Sequence, residues 1–121
     1  MAEMILVYTT CEDENEAKKI GKYLLKKRLA GCINIYPQMH SMFWWPPKKN
    51  KLDQTDEAVL VIKTMDYQFT ALERAILEVH SYESPEIIAL PVLFSNEKYL
   101  EWIKGETSFV EEGKVETSKS K

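Results

Sequence analysis

The 121-residue sequence is short of glycine (four), cysteine (two) and arginine (two, Arg28 and Arg74), and each scarcity removes a class of function. So few glycines leave little to build a phosphate-cradling loop, and no Walker loop, dinucleotide fingerprint or nucleophile elbow occurs. Cys11 and Cys32 are too few for a secreted disulfide scaffold, so free thiols in a cytoplasmic protein are expected. Both arginines fall on predicted helices, which leaves none for the anion loop that phosphate chemistry would want. Positive charge is scarce as well. Sixteen Lys+Arg against nineteen Asp+Glu give a net charge of −3, which argues against nucleic acid as a partner, because phosphate neutralisation calls for a basic stripe. Lys48, Lys49 and Lys51 form the only tight basic cluster outside a predicted helix. No stretch approaches the ~18 apolar residues of a membrane span. The opening apolar run is shorter than the roughly 7–15 residues of a secretory leader and follows an acid, so neither membrane nor export is expected.

What is present is a folded chain, 45% hydrophobic, of a size for one domain. Residues 5–10 are apolar and β-branched and predict a buried strand. Asp13 with Glu16 makes a capping-box-like start to a helix over 14–29, with Ala17, Ile20 and Leu24 on one face and Gly31 as its left-handed cap. A second strand begins at Cys32, is interrupted by Pro37, which implies an edge or a bulge, and resumes through residues 40–45. Residues 46–54 read as a hairpin loop and 57–64 as the third strand. Asp66 can cap a second helix with Phe69, Leu72, Ile76 and Val79 on its apolar face. Residues 87–94 read as the fourth strand, followed by a short helix that Gly105 stops. Residues 106–121 make a polar tail, with an edge strand at best around Phe109, Val110 and Val115 and then disorder.

The order βαββαβ plus a terminal helix, over a single domain at 1–105, is that of the ferredoxin-like α+β sandwich. Both long helices should cover one face of a four-stranded antiparallel sheet, since crossovers are right-handed. The other face, with Tyr36, Phe43, Trp44 and Trp45 nearby, is too apolar to face water. A homo-oligomer built through the sheets is therefore expected.

Chemistry is harder to find. Cys11, Cys32, His40 and His80 are candidate metal donors but show no ligand spacing. A looser soft-ligand site for copper remains open, beside the plainer reading of Cys32 as a small buried hydrophobe and of the histidines as surface or hydrogen-bonded residues. The turn His80-Ser81-Tyr82-Glu83-Ser84-Pro85-Glu86 is the most polar and aromatic in the chain, and such loops concentrate function. Glu57 and Lys63 bound the third strand on one face. No catalytic constellation is recognisable, so an enzyme is not expected.

Taken together, Tyr8-Thr9-Thr10, Glu16-Ala17, Leu24-Leu25, Arg28-Leu29-Ala30, Cys32-Ile33-Asn34-Ile35, Trp44-Trp45, Glu57, Ile62-Lys63-Thr64, the turn from His80 to Glu86, Tyr99-Leu100 and Trp102-Ile103 resemble the CutA divalent-cation tolerance proteins over about residues 5–104. The resemblance implies a ferredoxin-like protomer in a tight homotrimer, a fold shared with the PII signalling trimers, and binding of copper or other divalent ions between subunits. It implies Cys32 and His80 as metal ligands, with Trp45, Glu57, Lys63, Tyr82 and Glu86 lining clefts. Two departures stand out: the basic, proline-stiffened tip Pro46-Pro47-Lys48-Lys49-Asn50-Lys51, and Ser81 where the family has proline. The alternative is a PII-like module taking a small anion or metabolite in the same clefts, supported by Lys48, Lys49 and Lys63.

Overall fold

A computed structural model describes residues 3–108. Strand β1 (Met4–Cys11) leads into helix α1 (Glu14–Lys26), then strands β2 (Cys32–Trp44) and β3 (Leu52–Met65), helix α2 (Phe69–Val79), strand β4 (Ile87–Pro91) and helix α3 (Glu97–Thr107). The four strands are hydrogen-bonded in the order β2-β3-β1-β4 with every pair antiparallel, which is the ferredoxin-like α+β arrangement read from the element order. The reading of residues around Phe109, Val110 and Val115 lies outside the described residues.

Alternation along the strands divides the sheet into two faces. Ile5, Val7 and Cys11 of β1 and Ala58, Leu60 and Ile62 of β3 point to the same side as Ala17, Ile20 and Leu24 of α1 and Leu72, Ala75 and Ile76 of α2, and these form the main core. The opposite face is not bare throughout. At one end of it α3 folds back, and Ile103 packs with Met4 and Met65, flanked by Cys32, Tyr99 and Leu100. The rest of that face carries exposed Tyr36, Ile88 and Leu90.

Several local expectations are corrected. Helix α1 ends three residues early. Its carbonyls are capped by a Schellman pair, with the Arg28 N–H donating to the Leu25 carbonyl and the Leu29 N–H to that of Leu24, and Arg28 rather than Gly31 takes the left-handed conformation, at φ 59°. A non-glycine residue pays conformational energy there, and the guanidinium bond to Glu106 at 2.9 Å helps to hold it. Gly31 is needed for space instead, since a Cβ there would sit 2.9 Å from Ile103 Cδ1. Asp66 opens a short 3₁₀ turn before α2 and caps nothing with its side chain. Helix α3 continues through Gly105 to Thr107, whose hydroxyl donates to the Ile103 carbonyl at 2.7 Å. Strand β4 stops at Pro91.

The ribbon is longer than expected. β2 runs unbroken past Pro37 as the edge strand, and its pairing with β3 shifts between Tyr36 and Met39. An edge position together with a bulge accommodates a proline that cannot donate to the ladder. β3 begins at Leu52, so the last third of the expected loop is strand, and the tip narrows to a turn closed by the Trp45 N–H donating to the Lys51 carbonyl.

Candidate functional site

The shift at Pro37 fixes which residues share a face beyond it. Met39 pairs with Glu57, Ser41 with Thr55 and Phe43 with Asp53. These side chains lie on the uncovered face, just past the end of β1, where Tyr8 and Thr10 share that face opposite Val61 and Val59, and the turn between α2 and β4 brings Tyr82 and Glu86 up beside them. The result is a cleft of about 820 Å³.

Its electrostatics are one-sided. Glu12, Asp53, Asp56, Glu57, Glu83 and Glu86 line it, and no lysine, arginine or histidine does. Phe43, Trp45, Tyr8, Tyr82 and Met39 form its apolar walls. Glu57 is the deepest acid, 9% exposed, and its Oε2 accepts a 2.6 Å hydrogen bond from the Tyr82 hydroxyl. Burial first, and then that bond to Glu57, hold the Tyr82 hydroxyl well above its ordinary pKa, so Tyr82 remains a donor. Tyr8 is raised by burial and by the nearby charges of Glu86 and Glu57, and its hydroxyl donates to Met39 Sδ at 3.4 Å.

Beneath this cleft lies a second cluster, Cys11, Glu16 and His80, whose donor atoms fall within 4.8 Å of one another. Sulfur, carboxylate and imidazole together suit a soft or borderline cation. Their hydrogen bonds describe a latch instead. His80 Nε2 donates to the Thr10 carbonyl at 2.8 Å, and Nδ1 accepts from the Tyr82 N–H at 3.0 Å, which fixes the neutral tautomer and occupies both ring nitrogens. Glu16 Oε1 accepts from the Glu12 N–H and Oε2 from the Ser81 N–H, each at 2.8 Å. Burial alone would raise the Glu16 carboxyl, but these bonds outweigh it and the pKa is lowered. The Cys11 thiol, fully buried, is pushed up to about 12 by burial and the nearby charges of Glu16, Glu57 and Asp13. A metal could enter only by displacing bonds that join α1, β1 and the turn.

The residues singled out from sequence divide accordingly. Trp45, Glu57, Tyr82 and Glu86 do line one cleft. His80 sits behind it in the latch. Cys32 and Lys63 lie elsewhere: they pair with each other across β2 and β3 at the level of Leu6, four residues along β1 from Thr10, or about 13 Å at the rise of a strand. There Lys63 Nζ is 5.6 Å from the centre of the Tyr99 ring. Burial and the neighbouring Cys32 thiol raise the Tyr99 hydroxyl to about 12. Within one chain, Cys32 and His80 therefore do not share a site. Sequence reading missed Asp53, Thr55 and Met39 as cleft residues, although alternation with Glu57 would have shown Asp53 and Thr55 once β3 was begun at Leu52, and Met39 pairs with Glu57 only through the shift after Tyr36. It also missed the partnership of Cys11 and Glu16 with His80, which only the packing of the helix start against the turn creates.

A ferredoxin-like sheet with helices on one face, a partly uncovered opposite face and an acidic cleft opening on it defines a small α+β domain of the ferredoxin-like class. Residues 5–106 match the CutA1 divalent ion tolerance protein family, and the chain belongs to that family. It is 39% identical over 104 residues to a rice (Oryza sativa subsp. japonica) protein named Protein CutA 1, chloroplastic, covering 85% of this chain and 56% of that one. It is 35% identical over 107 residues to the divalent-cation tolerance protein CutA of Thermus thermophilus, covering 88% of this chain and 99% of that one. The chain thus spans little more than half the length of the plant relative and nearly all of the bacterial one. The structure of the periplasmic divalent cation tolerance protein CutA from Archaeoglobus fulgidus superposes with a TM-score of 0.81 at 32% identity, over 86% of this chain and 98% of that one. Among the described residues no helix is long and apolar enough to cross a membrane.

Proposed function

We propose that the protein is a homotrimeric binder of divalent metal ions, copper among them, at sites between subunits, and that it acts by binding rather than by catalysis. The observation that carries this reading is the cleft lined by six acidic residues and, among the described residues, no basic one, opening on the uncovered sheet face, with Asp56 alone turning its carboxylate to His40 on the far side of the ribbon. Such a lining lowers the local potential and concentrates cations. Exposed Tyr36, Ile88 and Leu90 on the same face supply apolar surface for second and third copies, at about 25 cal/mol per Å² buried. The relatives' names, with their divalent-cation tolerance, favour a metal ion as the cation.

Oxygen ligands from the acidic cleft suit hard divalent ions, and the Cys32 thiol offers a soft donor to copper. Because the cleft carboxylates of one chain do not converge on a point, a metal ion there draws ligands from adjoining subunits. A cytoplasmic setting belongs to the same proposal and is supported by two free cysteines. The small-anion alternative finds no support in the cleft, since Lys48, Lys49 and Lys63 all lie outside its lining.

Native mass spectrometry of the reduced protein, with and without about three equivalents of copper, tests assembly and uptake together. A trimer that gains up to three metal ions is expected. A monomer overturns the assembly, and a trimer that takes up neither copper nor manganese overturns the metal reading. Unchanged copper uptake in the Cys32→Ser/His80→Gln double variant removes those two residues as ligands and leaves the carboxylates.

A further inference from the structure

The far end of the ribbon carries a surface that neither the cleft nor the uncovered sheet face uses. Beyond its last pair with β1, Ala58 with Cys11, β3 runs on from Ala58 out to Leu52, so the tip projects about 20 Å past the end of β1. On the side of the ribbon turned away from the cleft, Trp44 pairs with Leu52 and Met42 with Gln54. Met42, Trp44 and Leu52 are 66%, 67% and 65% exposed. Three neighbouring apolar side chains so open to water at a protruding end mark a contact surface.

The turn that joins these strands is basic. Lys48, Lys49 and Lys51 are exposed, and among the described residues none of them enters an ion pair. The backbone beneath them is fixed. The Trp45 N–H donates to the Lys51 carbonyl at 3.0 Å and the Lys49 N–H to that of Pro46 at 3.4 Å, with Lys48 and Asn50 left-handed at φ 60° and 54°. Acids return only behind the turn: Asp53 and Glu57 line the cleft on the other side, and Asp56 is held by His40. The tip is therefore locally cationic and apolar, although the whole chain carries a net charge of −3.

A convex tip offers no groove to a peptide, and three lysines do not make the basic stripe of a nucleic-acid site. Ammonium groups beside an exposed indole match the interfacial layer of a bilayer, where tryptophan is enriched and acidic headgroups attract lysine. We propose that the ribbon tip docks on an anionic phospholipid membrane surface. Lys48, Lys49 and Lys51 meet the headgroups, while Trp44 and Leu52 enter the interfacial layer. Such docking needs no apolar span, and among the described residues no helix is long and apolar enough to cross a bilayer. The inference uses neither the cleft nor a metal ion, so it stands or falls apart from the proposed function.

Co-sedimentation of the full protein with phosphatidylcholine vesicles carrying about 30% phosphatidylserine, in about 0.1 M sodium chloride, is the test, with pure phosphatidylcholine vesicles as the neutral comparison. Binding about tenfold or more stronger to the anionic vesicles is expected, with a blue shift of tryptophan emission. Lys48→Gln/Lys49→Gln should weaken it about 25-fold, about fivefold for each lysine near such a surface. Trp44→Ser should weaken it about fivefold or more, since interfacial binding scales with the apolar area buried. All three replaced side chains are exposed, so these variants test binding rather than folding. No co-sedimentation, or equal binding to the two kinds of vesicle, overturns the proposal. Lysine-dependent binding that Trp44→Ser leaves unchanged also overturns it, because the turn is then an electrostatic contact for any polyanion. So does a Trp44→Ser protein whose native mass falls to smaller species, since a second copy then covers this side of the ribbon.

Discussion

The two ends of the uncovered sheet face are built from the same three strands by the same alternation, yet they have opposite chemistry. At the end where α3 returns, Met4, Met65 and Ile103 are at most 6% exposed and make a small dry core. At the other end no helix returns, and the equivalent positions hold Glu57, Thr55 and Asp53 beside tyrosine and tryptophan. Where the chain covers its own sheet, the side chains are chosen for packing. Where it does not, acids stand beside rings, and a latch of hydrogen bonds beneath holds the strand end and the turn in place.

The largest test of that contrast is at the covered end. Ile103→Ala should destabilise the protein by about 2–5 kcal/mol, the usual cost of emptying a buried isoleucine site, read as a shift in the guanidinium unfolding midpoint. Gly31→Ala should also destabilise, because its new Cβ lies 2.9 Å from Ile103 Cδ1. In the double variant the two losses should sum to less than their separate values, since they share one contact. Fully additive losses would mean that the contact does not limit Gly31. At the open end, Trp45→Ala should change protomer stability by only about 0.5 kcal/mol, because Trp45 is half exposed. A loss as large as that of Ile103 would show that a second copy covers it.

A smaller effect comes from the latch. Glu16→Ala removes acceptors from the Glu12 and Ser81 N–H groups and should cost about 1–2 kcal/mol, as lost helix-cap and charged-acceptor bonds do. The pH dependence has a definite sign. The folded Glu16 carboxyl lies below its ordinary value, so the stability it contributes is present above the unfolded carboxylate pKa. That contribution is lost as pH falls through the lower, folded value. Glu16→Gln should therefore flatten the acid limb of the stability profile and leave its neutral limb parallel to the original. An unchanged acid limb would mean that the hydrogen bonds form equally well to the acid form.

Much of this contrast was legible in the sequence, and the failures have physical causes. The element order, the edge position of the proline-bearing β2 and the helix faces of Ile20, Leu24, Leu72 and Ile76 follow from periodicity, which is a local signal. The capping pair was half legible: the Glu16 N–H does bond to the Asp13 carboxylate, but the Glu16 side chain reaches Glu12 and Ser81, and no local pattern specifies the second. Glycine is ordinarily a helix-stop signal, but here Gly31 serves packing against Ile103 and Gly105 lies within α3 with open space beside it. The cleft was missed in part because the ribbon carries polar residues such as Asp53 and Asp56 in strand positions. Such residues look like loop until pairing with Phe43 and His40 is known. Cys32 and His80 enter as ligands only through the family resemblance, and their separation within one chain is set by sheet register, which one sequence does not display.

The smallest effect concerns the rim of the open end and distinguishes it from the latch. His40, exposed on the far side of the ribbon, has Nδ1 2.8 Å from Asp56 Oδ1 and Nε2 2.9 Å from Gln54 Oε1. The bond to Asp56, then that to Gln54, raises its pKa. Because the folded value lies above the unfolded one, any stability from the pair is fully present below the ordinary histidine pKa of 6.5 and lost as pH rises through the raised value. In an exposed pair that contribution is slight, so the informative readout is the proton resonance of the His40 ring rather than a melting point. Its titration midpoint should lie above the ordinary value in the intact protein and fall in Asp56→Asn. A midpoint that does not move would assign the shift to Gln54 and leave Asp56 wholly available to the cleft. A midpoint that falls means that Asp56 is partly neutralised by imidazolium at mildly acidic pH, so that the open end loses negative charge there while the latch, held by Glu16, keeps its own.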